Sequence, residues 1–183
     1  MSRTLRLTVG VLGLVALLAA GWFLLPSRTA PHLAVQDLAR VPVMITAPYD
    51  EKANASAAVD AAFARAKQSR KRVLIDLGGN WCPDCIVLAN VMALPDLKPF
   101  LEKNYEVVAV DVGRFDRNLQ IPARFGITGR LEGVPSVLVV TPDGELVNAG
   151  SVTVLANATK MTPQGIADWL ARWATADRAE AKP

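Results

Sequence analysis

The sequence predicts an α/β fold: a central mixed sheet with helices on both faces, in three α/β/α layers, preceded by an N-terminal transmembrane helix. Three observations predict it. Short, uninterrupted apolar runs alternate with helical patterns, first as strand–helix–strand and then as a hairpin followed by a covering helix. Apolar residues make up 51% of the 183, so an ordinary core can close without disulfide staples or a structural metal. The first 25 residues join a basic start to a charge-free run.

That run, Leu7 to Leu25, is 19 residues long. At about 1.5 Å per residue it reaches about 28 Å, close to the ~30 Å hydrocarbon core of a bilayer. A cleavable signal has a shorter apolar stretch ending at small residues. Here Gly21-Trp22-Phe23-Leu24-Leu25 carries the stretch past Ala19 and Ala20, which favours an uncleaved anchor over a removed signal. Arg3 and Arg6 stay in the cytoplasm by the positive-inside tendency. The prediction is a single-pass inner-membrane protein whose domain lies outside the cytoplasm, in the periplasm. The rest of the chain is nearly neutral, with eighteen basic and seventeen acidic side chains, and carries no nucleic-acid footprint.

Four prolines and little periodicity make residues 26–50 read as a linker, with one short strand possible at Val41–Ile45. Ala55, Val59, Ala62, Phe63 and Ala66 recur at helical spacing from Asn54 to Lys67, and the basic run Arg70-Lys71-Arg72 suits that helix's negative end. Val73-Leu74-Ile75-Asp76-Leu77 is the apolar run of a fully buried strand. Gly78-Gly79-Asn80 turns the chain into a helix that runs to Pro95, and a shorter helix follows from Asp96 to Lys103. Tyr105 to Val112 reads as a second strand. Val134–Thr141 and Glu145–Ala149 read as a hairpin about the turn Thr141-Pro142-Asp143-Gly144. Thr162 caps a last helix with Pro163 at its first position and Ile166, Trp169, Leu170 and Trp173 on its apolar stripe. The folded domain is therefore residues 51–175, and 176–183 is a polar tail.

The two cysteines are three positions apart, and they are the chain's only two. The turn-to-helix context puts Cys82 at a helix N-terminus and Cys85 one turn inside. Exposed amides and the helix dipole there lower the pKa of the first sulfur and make it a nucleophilic thiolate. Pro83 suits the first helical turn, where its missing N–H costs nothing. Zinc needs about four ligands, and the only histidine, His32, sits in the linker, so no metal is expected. A purely structural disulfide across so short a loop gains little. Thiol–disulfide exchange is the reading that uses both sulfurs.

Val73 to Cys85, together with Gly133-Val134-Pro135-Ser136, resemble the thioredoxin superfamily, especially secreted or membrane-anchored bacterial thioredoxin-like proteins with a Trp-Cys-Pro-Asp-Cys active site. The resemblance spans roughly Asn54 to Trp173. It implies a thiol–disulfide oxidoreductase acting on protein thiols and disulfides, with Cys82 as nucleophile and Cys85 as resolving thiol. Pro135 matches the family's cis-proline, which turns the Val134 backbone toward the site to pair with an extended substrate. Asp76 matches the buried acid that takes the proton from Cys85, its pKa raised by burial. Trp81 matches the aromatic shelf beside the nucleophile, although a plain core tryptophan fits the sequence as well.

Departures from the family pattern carry their own expectations. Val107 stands where thioredoxin has a lysine near the buried acid, so Asp76 is expected to stay neutral over a wider pH range. Gly78 replaces a tryptophan, and the loop 129–133 is long, with Arg130 and Glu132 as solvated charges. Asp84 adds a negative charge between the cysteines, which predicts a reductant or isomerase rather than a strong oxidant. There is no flavin or nicotinamide fingerprint, so no cofactor is expected and electrons are expected from a partner membrane protein. The alternative is a non-catalytic thioredoxin-fold module that holds a protein or delivers a metal or haem.

Overall fold

The computed structural model describes residues 29–174. Helix α1 (Ala55–Ser69) starts where the Asn54 side chain accepts a hydrogen bond from the Ala57 N–H, and its buried stripe is Ala55, Val59, Ala62 and Ala66. It stops at Arg70, which adopts the left-handed conformation. Strand β1 (Arg72–Gly78) is central, as its unbroken burial requires. It pairs in parallel with β2 (Tyr105–Asp111) and antiparallel with β3 (Ser136–Val140), in the order β2-β1-β3. Helices α2 (Pro83–Met92) and α3 (Lys98–Asn104) connect β1 to β2. The short α4 (Gln120–Ala123) precedes β3, and α5 (Pro163–Ala174) closes the chain.

The alternation of β1 side chains builds the three layers. Val73, Ile75 and Leu77 join Val59, Ala62 and Ala66 of α1 in one apolar cluster. Leu74 joins Leu88 and Val91 of α2 and Ile166 and Leu170 of α5 in the other. The mixed sheet between two helical layers is the predicted α/β/α arrangement. Among the described residues no helix is long and apolar enough to cross a membrane; the predicted anchor, Leu7 to Leu25, and the tail 176–183 lie outside them.

Two expected strands and the expected linker differ from the sequence reading. Glu145–Ala149 does not form a strand. One bridge, Val140 to Leu146, begins the hairpin, made by the Thr141 N–H donating to the Glu145 carbonyl and the Val147 N–H to the Val139 carbonyl, each at 2.9 Å. Asn148 then ends it by doing a strand's work with its side chain. The Val139 N–H donates to Asn148 Oδ1, and Asn148 Nδ2 donates to the Val137 carbonyl, each at 2.8 Å. The backbone is thereby released into a 3-10 turn at Ala149–Ser151. Asn148→Ala strands two buried backbone groups and is expected to cost about 3 kcal/mol, read as a lower urea midpoint.

Val41–Ile45 is likewise no strand. The Met44 and Ile45 N–H groups both donate to Asn90 Oδ1, at 2.8 and 3.0 Å, and Asn90 Nδ2 donates back to the Ile45 carbonyl. A side-chain amide of α2 satisfies this backbone, so no sheet partner is needed. More generally, the stretch that composition makes a linker is packed where it is described. Leu33 and Val41 are buried in the α2–α5 core, and Tyr49 is buried beside the cysteines. Its prolines erase the periodicity that marks helices and strands, yet an irregular chain can bury side chains singly.

Candidate active site

β1 delivers the chain to the site. Beyond Gly78 it turns through Gly79 and Asn80, and Cys82 then caps α2. Gly79 is required by close approach, because a Cβ there would lie 2.6 Å from the Trp81 ring nitrogen. Cys82 and Cys85 are joined by a disulfide, with their Cα atoms 5.3 Å apart. Cys82 Sγ accepts the Cys85 N–H at 3.2 Å, the helix-start bond that stabilises a thiolate once the pair is reduced. Cys85 is fully buried, and Cys82 is 2% exposed.

The Val134–Pro135 peptide is cis, and the Val134 carbonyl oxygen lies 3.4 Å from Cys82 Sγ. The Ser136 hydroxyl donates to the Gly133 carbonyl at 2.6 Å and closes this turn against the start of β3. Trp81 is 38% exposed, so it is not a core tryptophan. Its Nε1 donates to the Gly113 carbonyl at 2.7 Å, its ring meets Phe115, and the Arg114 guanidinium lies 4.6 Å from the ring centroid. Arg130, from the long loop before the cis peptide, lies over Phe115 at 4.1 Å. Asp84 Oδ1 accepts both the N–H and the hydroxyl of Thr159 at 2.8 Å, which fixes this carboxylate at the first turn of α2.

Asp76 sits on β1 facing the α2 layer and is 4% exposed. Its register partner on β2 is Ala109; Val107 stands two pairs away beside Leu74, 40% exposed, and supplies no charge. The polar partner comes instead from the N-terminal segment. Tyr49 Oη donates to both Asp76 carboxylate oxygens at 3.0 Å. Burial pushes the Asp76 carboxyl up to about 7, with the Tyr49 hydrogen bond opposing. Burial and the neighbouring Asp76 carboxylate push the Tyr49 hydroxyl far above its ordinary value.

The site thus brings together Cys82, Cys85, Trp81, Val134 and Pro135 around the two sulfurs, with Asp76 beneath them on the same strand as Gly78. Sequence reasoning missed Tyr49. A signal existed: Gly78, where the thioredoxin pattern has tryptophan, vacates a ring's volume that a distant aromatic has to fill. A Cβ at Gly78 would collide with the Tyr49 hydroxyl and lie 2.8 Å from Cys85 Sγ. Among the described residues no group of three or more His, Cys, Asp or Glu side chains is placed to hold a metal ion.

A family model described as thioredoxin-like matches residues 54–142. A solved disulphide isomerase from Xylella fastidiosa Temecula1 is 40% identical, covering 68% of this chain and 95% of its own, with a TM-score of 0.63. The chain belongs to the thioredoxin-like family. A second solved structure, a DsbH oxidoreductase, is 20% identical over 54% of this chain and 79% of its own, with a TM-score of 0.39. No curated protein matches the sequence. Within the thioredoxin-like frame, residues 29–53 lie ahead of the family match and nonetheless supply Tyr49 to the site.

Proposed function

We propose that this thioredoxin-like protein is a thiol–disulfide oxidoreductase that exchanges disulfides with protein substrates, working in the reducing direction. The observation that carries the reading is the Cys82–Cys85 pair at the N-terminus of α2, facing the backbone of Val134. In the reduced protein, the Cys82 thiolate attacks a substrate disulfide, forming one mixed disulfide and releasing one substrate thiolate. Cys85 gives its proton to Asp76 and attacks Cys82 Sγ. The second substrate thiolate leaves, and the protein keeps the disulfide. Two electrons pass to the substrate, and each sulfur–sulfur bond broken is matched by one formed. Val134 offers backbone to an extended substrate segment, and Trp81 offers an exposed ring beside the nucleophile.

The direction rests on Asp84. A carboxylate in the first turn competes with the Cys82 thiolate for the same helix field, so the reduced form is stabilised less than in a strong oxidant. The anchor Leu7 to Leu25 holds the domain outside the cytoplasm, where a membrane partner returns it to the dithiol. The named isomerase relative supports disulfide chemistry of this kind. Insulin reduction by a fragment beginning at Thr29, beside its Cys82→Ser variant, tests the activity. A non-catalytic holder would show no reduction in either. Equilibration with glutathione tests the direction, and a potential close to about −120 mV, that of the strongest oxidants, would refute it.

A further inference from the structure

Asp76 is a carboxylate buried on a central strand with no cation against it among the described residues, and one hydroxyl serves both of its oxygens. That hydroxyl is held in place by the active-site turn itself. The Tyr49 N–H donates to Asn80 Oδ1 at 3.0 Å, and Asn80 Nδ2 donates to the Tyr49 carbonyl at 2.9 Å. Asn80 is two residues from Cys82, so Tyr49 is clamped to the loop that carries the nucleophile. Asp76 and Gly78 project to the same face of β1, and the space above Gly78 is shared by the Tyr49 hydroxyl and Cys85 Sγ. The hydroxyl therefore lies close to both the buried acid and the resolving sulfur.

We propose that Tyr49 is a positioning residue for disulfide exchange: by donating its hydroxyl to Asp76 it holds that carboxylate in place for Cys85 and favours its charged form. The inference rests on the oxidoreductase reading, in which Asp76 accepts the Cys85 proton. A hydrogen bond donated to a carboxylate favours its charged form, and burial disfavours it. Without the donor, burial acts unopposed and the carboxyl is protonated when it is needed as a base. Tyr49 keeps its own proton across the neutral range, so it remains a donor. The register partners of Asp76, Ala109 on β2 and Val137 on β3, carry no charge. The other titratable groups facing the pair are Cys82 and Cys85 of α2 and Asp111 at the end of β2, whose carboxylate is paired with Arg117 at 3.3 Å.

The test compares the full-length protein with Tyr49→Phe, Asp76→Asn and the double variant, all reduced, in detergent micelles. Carboxyl carbon NMR of labelled aspartate follows the Asp76 titration, with Asp76→Asn assigning the signal. Its midpoint is expected to rise by about one pH unit in Tyr49→Phe. Stopped-flow resolution of a preformed mixed disulfide should then slow about fivefold at pH 7 and recover at higher pH, with no further shift of the profile in the double variant. Gly78→Ala, which drives a methyl group into the hydroxyl, should raise the same midpoint and serves if Tyr49→Phe does not fold. An unchanged Asp76 midpoint overturns the proposal, as does a kinetic shift that persists without Asp76. Wild-type protein that titrates normally but never exchanges disulfides would sink the oxidoreductase reading instead, and the exchange role with it.

Discussion

Replacing Cys85 with serine is expected to turn the protein into a trap. Cys82 keeps the amide of residue 85 as its hydrogen-bond donor, because that bond comes from backbone and survives the substitution. The thiolate therefore still attacks a substrate disulfide. Nothing remains to attack the mixed disulfide, so the adduct accumulates and insulin reduction falls to background. Cys82→Ser should lose the same activity and form no adduct, since a serine hydroxyl at a helix start is no match for a thiolate as nucleophile. The pair of variants separates nucleophile from resolving thiol by mass spectrometry alone. Equal adduct yields from both variants would abolish that distinction, and a larger yield from Cys82→Ser would reverse it. Adducts captured by Cys85→Ser in membranes would also name the client.

Asp76 makes the second large prediction, on stability rather than rate. Its carboxyl titrates near 3.8 when unfolded and near 7 in the folded protein, because burial penalises the charge. A folded-state pKa above the unfolded one means that the native protein holds the proton more tightly. The stabilisation is complete below pH 3.8, declines as pH rises from there to about 7, and is gone above it. Asp76→Asn has no charge to bury. In the oxidised protein it should match the wild type near pH 4 and exceed it by about 4 kcal/mol at pH 8, at ~1.4 kcal/mol per pKa unit. Urea melts at the two pH values measure this. Equal gains at both would show that the carboxyl is not strained by burial. Under the proposed mechanism the same residue reduces stability at the pH where exchange would use it as a base, a trade common at catalytic positions.

Much of this was legible in the chain. The buried strand around Asp76, the Cys82 helix start and the α5 stripe rest on local patterns: apolar runs, a proline at the first helical turn, and 3.6-residue spacing. The hairpin was half legible, since its turn at Thr141–Gly144 forms while its second strand does not. Asn148 wrote no strand or helix signal of its own; its effect depends on which backbone groups lie within reach of its amide. Tyr49 was the greater loss. It is 27 residues from Asp76 in a proline-rich stretch without period, and no local rule connects the two.

By itself the sequence determined the order of the three sheet strands and the main helices, the burial of β1 and the placing of two sulfurs at a helix mouth, because each follows from neighbours within a few residues. Tertiary structure alone decided what shares the space beneath those sulfurs. With Gly78 leaving that volume empty and no cation beside Asp76 among the described residues, the segment ahead of α1 folds back and fills both needs with one tyrosine. A buried carboxylate takes its character from whatever the folded chain brings against it, and that is a property of distance in space, not of position along the chain.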